Sequence, residues 1–202
     1  MKMFAPSDWE NWERKYRAHF INSLTGYKSV NLIGTINEEG KSNLAIFSSI
    51  VHIGSNPALI GFINRPLTDT SHTLKNIRQT GFYTINHIHE SFLDQAHETS
   101  GKYPAEVNEF ELVGLKEMFV EGIKPPFVAA SKIKYLLQFQ KEIPIELNGT
   151  YLIIGKLERV ILEEEIIEAD GFLKIHDSGS IASNGMDAYY GTSFIKRNKE
   201  VR

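Results

Sequence analysis

The chain has 202 residues, 42% hydrophobic and 23% charged, with a formal net charge of −3 and a pI near 6.2. That length supports one domain with a sizeable core, and the absence of a long Lys/Arg run argues against a nucleic-acid partner. With no cysteine, disulfides, thiolate-ligated zinc, iron–sulfur clusters and a thiol nucleophile are excluded, a composition that fits the cytoplasm.

The opening stretch MKMFAPSDWENWERKYR lacks the apolar core of a signal peptide. No apolar run reaches the roughly 18 residues of a membrane span, so no membrane partner is expected. Residues 7–25 are expected to be helical. Ser7 followed by Glu10 has the spacing of a capping box, and Gly26 suits a C-cap. Trp9, Trp12, Tyr16 and Phe20 recur at three- and four-residue spacing, which makes one aromatic face. Such a face packs on the main body or on a second subunit.

Residues 27–36 read as a strand, and Asn37-Glu38-Glu39-Gly40 as a hairpin turn into a second strand at 42–49. Residues 51–53 continue or re-pair that strand. The breaker pair Asn56-Pro57 precedes a strand at 58–64. Arg65-Pro66 and a hydroxyl-rich run (Thr68, Asp69, Thr70, Ser71, Thr73) then lead into a helix over 72–79, with Leu74 and Ile77 on one side and Gly81 to end it. An Arg, several hydroxyls and a helix N-terminus therefore meet where a strand runs out. The free N–H groups and partial positive charge of that terminus suit a phosphate. The ordinary alternative is that Asp69, Thr70 and Ser71 simply cap the helix.

Residues 82–88 form another strand, and 91–97 a short helix with Ser91 as N-cap. Residues 98–131 are turn-rich and read as a long ordered excursion with room for one short helix at 108–112. Lys124-Pro125-Pro126 is held extended by its prolines. Strand patterns return at 132–142 and 145–162, with Asn148-Gly149 as a turn or bulge, and short pieces flank Asp170-Gly171. The tail is polar and Gly-rich, with Tyr189 and Tyr190. About seven short strands with hairpin turns predict a mainly β (α+β) protein: an antiparallel barrel with a few peripheral helices.

Other chemistry finds little support. His87 and His89 share a strand face and His97 follows nearby, so three imidazoles invite zinc, but exposed histidines at strand ends are the ordinary reading and no metal site is expected. His72 faces a phosphate or sits at a helix N-terminus, and His52 reads as a partly buried strand residue. Glu163-Glu164-Glu165 reads as a solvated turn. Ser48 and Ser49 lack the G-x-S-x-G surroundings of a nucleophile. No acid–base pair or triad is identified, and catalytic residues stay unassigned.

One ordered series is more specific. It runs SNLAIFSS, NPALIGF, then Asp69-Thr70, Asn76-Ile77 and Thr80-Gly81-Phe82, then Asn86, ETSGKYPAEVNEFELVGL, KPPFVAAS and NGTYLIIGKLERV. Over residues 27–191 the chain resembles the flavin reductase-like proteins with an FMN-binding split barrel, the group that includes flavoredoxin. The resemblance implies a split antiparallel β-barrel that forms a homodimer and binds FMN near the subunit interface. Residues 1–26 would be an amphipathic helix, 27–195 the FMN-binding domain and 196–202 a polar tail. The flavin ring would lie against the strand carrying Asn43, Ala45, Phe47, Ser48 and Ser49. The phosphate would be held by Asn64, Arg65, Thr70, Ser71 and Thr73, with Thr99, Ser100 and Lys102 added from the excursion.

The implied activity is oxidoreductase: NAD(P)H-dependent flavin reduction by hydride transfer from nicotinamide C4 to flavin N5. Such chemistry needs positioning more than acid–base side chains. Many relatives carry an Arg shortly before a Gly and a Tyr, where this chain has Ala182-Ser183-Asn184-Gly185 and Tyr189, which bears on the electron donor more than on the flavin. A non-catalytic flavin-binding electron carrier or redox sensor with the same fold is the alternative. A barrel that has lost flavin is a third reading, against which the Ser/Thr-rich cradle argues.

Overall fold

The computed structural model describes residues 1–69 and 71–198. The segment expected to be one helix is two: α1 (Pro6–Trp9) and α2 (Arg14–Leu24). The capping box expected from Ser7 and Glu10 lies elsewhere, because helix α1 begins at a proline and Asp8 accepts the Ala5 N–H at 2.7 Å. Glu13 restarts the helix, its carboxylate accepting from the Lys15 and Tyr16 amides at 2.8 and 3.0 Å. Gly26 follows at φ +72°.

The expected first strand divides into β1 (Lys28–Ser29) and β2 (Asn31–Ile36). The strands β3 (Ser42–Phe47), β4 (Val51–Ser55) and β5 (Ala58–Asn64) precede α3 (His72–Thr80) and β6 (Phe82–His87). A 3-10 turn and α4 (Leu93–Glu98) follow, opened by His89 and not by Ser91: the His89 ring accepts the Ser91 N–H. Next come α5 (Glu109–Val113), β7 (Glu117–Val120), β8 (Ile123–Val128), β9 (Ile133–Ile145), β10 (Thr150–Leu162), β11 (Ala182–Asn184) and β12 (Ala188–Tyr190).

Seven strands form one antiparallel sheet in the order β3-β2-β6-β9-β10-β5-β4. The sheet wraps on itself, so its inner face carries one core: Ile33, Phe62, Tyr83, Ile85, Leu137 and Ile153. Leu74 and Ile77 of α3 enter that core, which is what their three-residue spacing allows. A second core lies outside β2 and β3, where Leu32 and Leu44 meet Phe92 and Ala96 near α4, Phe110 and Val113 of α5, and Val128. A separate small sheet, β1-β11-β12, joins the tail to the start of the barrel.

The excursion contains more structure than expected. Its strands β7 and β8 pair with each other, and β8 lies across the outside of β2 and β6. The crossing is close at Gly34, where a Cβ would sit 2.5 Å from Pro126 O and 2.6 Å from Thr84 Oγ1. Thr84 donates to Pro126 O at 2.6 Å. Asn86, fully buried, accepts the Val128 N–H at 2.9 Å and donates to Leu32 O at 3.1 Å. No helix among the described residues is long and apolar enough to cross a membrane.

Candidate functional site

The stretch between β5 and α3 forms the core of the candidate site. Asn64 is buried and donates Nδ2 to Arg65 O at 2.7 Å, which fixes the turn out of the strand. Arg65 is exposed and enters none of the ion pairs among the described residues. Ser71 occupies the N-cap position of α3 but makes no side-chain cap. Its Oγ instead accepts the Thr68 N–H at 2.8 Å. Simple capping is therefore not the role of the Ser71 hydroxyl. Thr70 lies outside the described residues.

Thr73, in the first turn of α3, meets β3 directly: Asn43 donates Nδ2 to Thr73 Oγ1 at 3.2 Å, and both are buried. A cavity of about 140 Å³ opens beside this bond, between α3 and the β2–β3 turn, with His72, Lys75 and Asn76 among its lining. Ala45 and Ser48 are half-buried along the end of β3. Phe47 turns inward onto Phe62, with ring centroids 5.0 Å apart. The Ser49 hydroxyl donates to Ile63 O at 3.0 Å and accepts the Ile63 N–H at 3.2 Å, tying the β3–β4 corner to β5. The side chains of Phe47 and Ser49 are thus occupied in holding the barrel.

The excursion returns to the same place. His72 Nε2 lies 3.2 Å from Tyr103 O, next to Lys102. Ser100 and Lys102 are exposed, whereas Thr99 is buried and donates to Ala96 O at 2.8 Å, closing α4. One residue that sequence reasoning missed is Glu109. It is buried, and its Oε2 accepts the Leu44 N–H at 3.1 Å, covering the free edge of β3. Burial pushes its pKa up, opposed by backbone hydrogen bonds and by the nearby charges of His72 and Lys41. The only signal in the sequence was Asn108, which caps α5 by accepting the Phe110 N–H; a first-turn Glu there reads as solvated.

The three histidines do not converge. His87 Nδ1 is 3.0 Å from Ser180 Oγ, His89 Nδ1 is 2.9 Å from Ser91 Oγ, and His97 Nδ1 is 2.6 Å from Tyr189 OH. No cluster of three metal-ligating side chains occurs among the described residues. Burial lowers the His87 pKa from 6.5 to about 4. The unfolded chain therefore binds the proton first, and stability falls as pH drops below about 6.5. The expected loss is about 2 kcal/mol by pH 5. Urea titrations at pH 5 and pH 7.5 check this: H87Q should remove that part of the pH dependence, and an unchanged dependence would show that His87 is not its source.

The model of the flavin reductase like domain matches residues 27–177. The chain belongs to that family. Among solved structures, a proposed flavin reductase with a split barrel domain from Shewanella frigidimarina is 39% identical, covers all of both chains and superposes with a TM-score of 0.96. Nitrilotriacetate monooxygenase component B from Bacillus cereus is 20% identical over 98% of each chain, with a TM-score of 0.85. Flavoredoxin of Desulfovibrio vulgaris is 20% identical, covers 86% of this chain and 91% of its own, and has a TM-score of 0.72. At 20% identity the last two speak to the fold, the split barrel that the resemblance implies and that agrees with the antiparallel barrel of the strand pattern. Family membership points to flavin-related oxidoreductase chemistry.

Proposed function

We propose that the protein is an FMN-binding, NAD(P)H-dependent flavin reductase that acts as a homodimer in the cytoplasm. Residues 27–195 would be its flavin-binding unit, with residues 1–26 and 196–202 as appendages. The observation that carries the phosphate end of this reading is the junction of β5 with α3. There an exposed Arg65 that enters no ion pair among the described residues and an N-cap serine that leaves the first-turn amides uncapped by its own side chain lie close together in the chain.

In this reading Arg65, Thr70, Ser71 and Thr73 bind the phosphate, and Asn64 holds the turn that presents them. The main chain along Asn43, Ala45, Phe47, Ser48 and Ser49 meets the ring edge, where Ala45 and Ser48 are small enough for close approach. The Asn43–Thr73 hydrogen bond would keep ring and phosphate contacts in register. Thr99, Ser100 and Lys102 border the site from the excursion, which reaches α3 through His72. The flavin, when bound, supplies the redox chemistry by accepting hydride from reduced nicotinamide. The work left to these residues is binding, orientation and exclusion of water.

Two chains per assembly are supported by an apolar face that the other described residues leave partly exposed. Across β4, β5, β10 and β9, the residues Ile53, Leu59, Ile63, Leu152, Ile154 and Ile143 point outward, away from the barrel core, and all stay partly or well exposed. The helices pack against β2 and β3 instead.

The test is titration of the purified protein with FMN, read by flavin fluorescence quenching. Binding is expected, and R65A should weaken it about tenfold, as expected on losing one charge-assisted contact. Absence of binding would overturn the reading. NADH-driven reduction of excess FMN, well above background, is expected of the reductase; slow reduction of a tightly held flavin would favour the electron carrier.

A further inference from the structure

The first 24 residues hold an aromatic cluster that the other described residues leave at least partly exposed. Phe4, Trp12, Tyr16 and Phe20 pack edge to face, with centroid separations of 4.8 to 5.5 Å. Yet neither α1 nor α2 buries a single residue, and Tyr16, Ile21 and Leu24 are 58%, 41% and 67% exposed. An 11-residue helix is marginal in water without a surface to pack on. Two polar contacts join it to its own chain: Lys28 Nζ donates to Asn22 O at 3.2 Å, and His19 lies 3.9 Å from Asp187.

A second apolar surface stays partly exposed among the described residues, the outer face around Leu152 and Ile154. A closed two-fold contact between identical chains covers both surfaces at once, each arm on the other's face, because every patch then meets its complement twice. An unrelated partner would have to carry both complements by coincidence.

We propose that residues 1–24 are an arm that packs on a second copy of the chain, against the outer face of β5 and β10. This rests on the two-chain assembly proposed above and adds to it the segment that clasps it.

The arm carries both tryptophans of the chain, Trp9 and Trp12, so its environment can be read directly. In the full chain at high concentration, tryptophan emission should be blue-shifted. It should move to the red on dilution, together with a fall in sedimentation from two chains to one. L152E should cause the same red shift at high concentration. A chain lacking residues 2–24 should dissociate at least tenfold more readily while its barrel stays folded by circular dichroism. Blue emission from a single chain would put the arm on its own barrel and overturn the inference. Red emission from a two-chain species, or unchanged association without the arm, would overturn it and leave the assembly standing. A single chain with red emission at every concentration would overturn both the arm and the assembly. FMN binding measured on the undiluted full chain tests the flavin reading separately.

Discussion

Asn86→Ala is expected to cost about 3 kcal/mol of unfolding free energy, since it strips a buried residue of bonds to three partners. Asn86 Oδ1 is the acceptor for Val128 N–H, and its Nδ2 donates to both Leu32 O and Thr84 Oγ1. Removing the amide leaves a buried N–H and a buried carbonyl without that partner where water does not reach. The damage should concentrate in β8, which is held on the sheet through Asn86, Thr84 and packing at Gly34. Urea denaturation gives the total, and hydrogen exchange at the Val128 amide locates it. A loss under about 1 kcal/mol would mean that apolar packing, not this network, seats β8.

Gly155→Ala should be nearly as costly, at about 2 to 3 kcal/mol, because β10 has no room for a methyl group there. The new Cβ would clash with the Tyr83 hydroxyl and approach Leu137 Cβ to 3.0 Å. Tyr83 is fully buried in the barrel, and its OH has no hydrogen-bond partner among the described residues. Burial holds its pKa far above the ordinary tyrosine value. Tyr83→Phe alone should therefore change stability by less than about 1 kcal/mol. In the Tyr83→Phe background Gly155→Ala should recover most of its loss, and thermal unfolding of the four proteins closes the cycle. Strict additivity would place the clash elsewhere.

Several elements were legible because their signals are local. The Asn56-Pro57 breaker and the apolar run after it mark β5 at the residues observed. Leu74, Ile77 and Gly81 mark α3, which ends with Gly81 at φ +75°. Strand β8 was not legible. Pro125 and Pro126 have no N–H to give, so the segment reads as loop; it is a strand because it pairs on β7 and accepts side-chain hydrogen bonds from the sheet beneath. The split between α1 and α2 was also missed, since Glu13 reads as one more charged helical residue until its carboxylate is seen closing on Lys15 and Tyr16.

By itself the sequence determined a mainly antiparallel barrel, the turns that build it, and a hydroxyl-rich junction at the end of β5. Residue periodicity and Gly/Pro punctuation act over a few positions, and those features need nothing more. Only the tertiary structure decided which side chains meet at that junction. Asn43 finds Thr73 across 30 residues, and Leu44 finds Glu109 across 65. The tertiary structure also decided that Phe47 and Ser49 turn to the barrel, and that the first helices bury none of their residues. Burial and hydrogen-bond partners depend on how the sheet curls, and no local pattern encodes the atoms that a curled sheet brings from a distance.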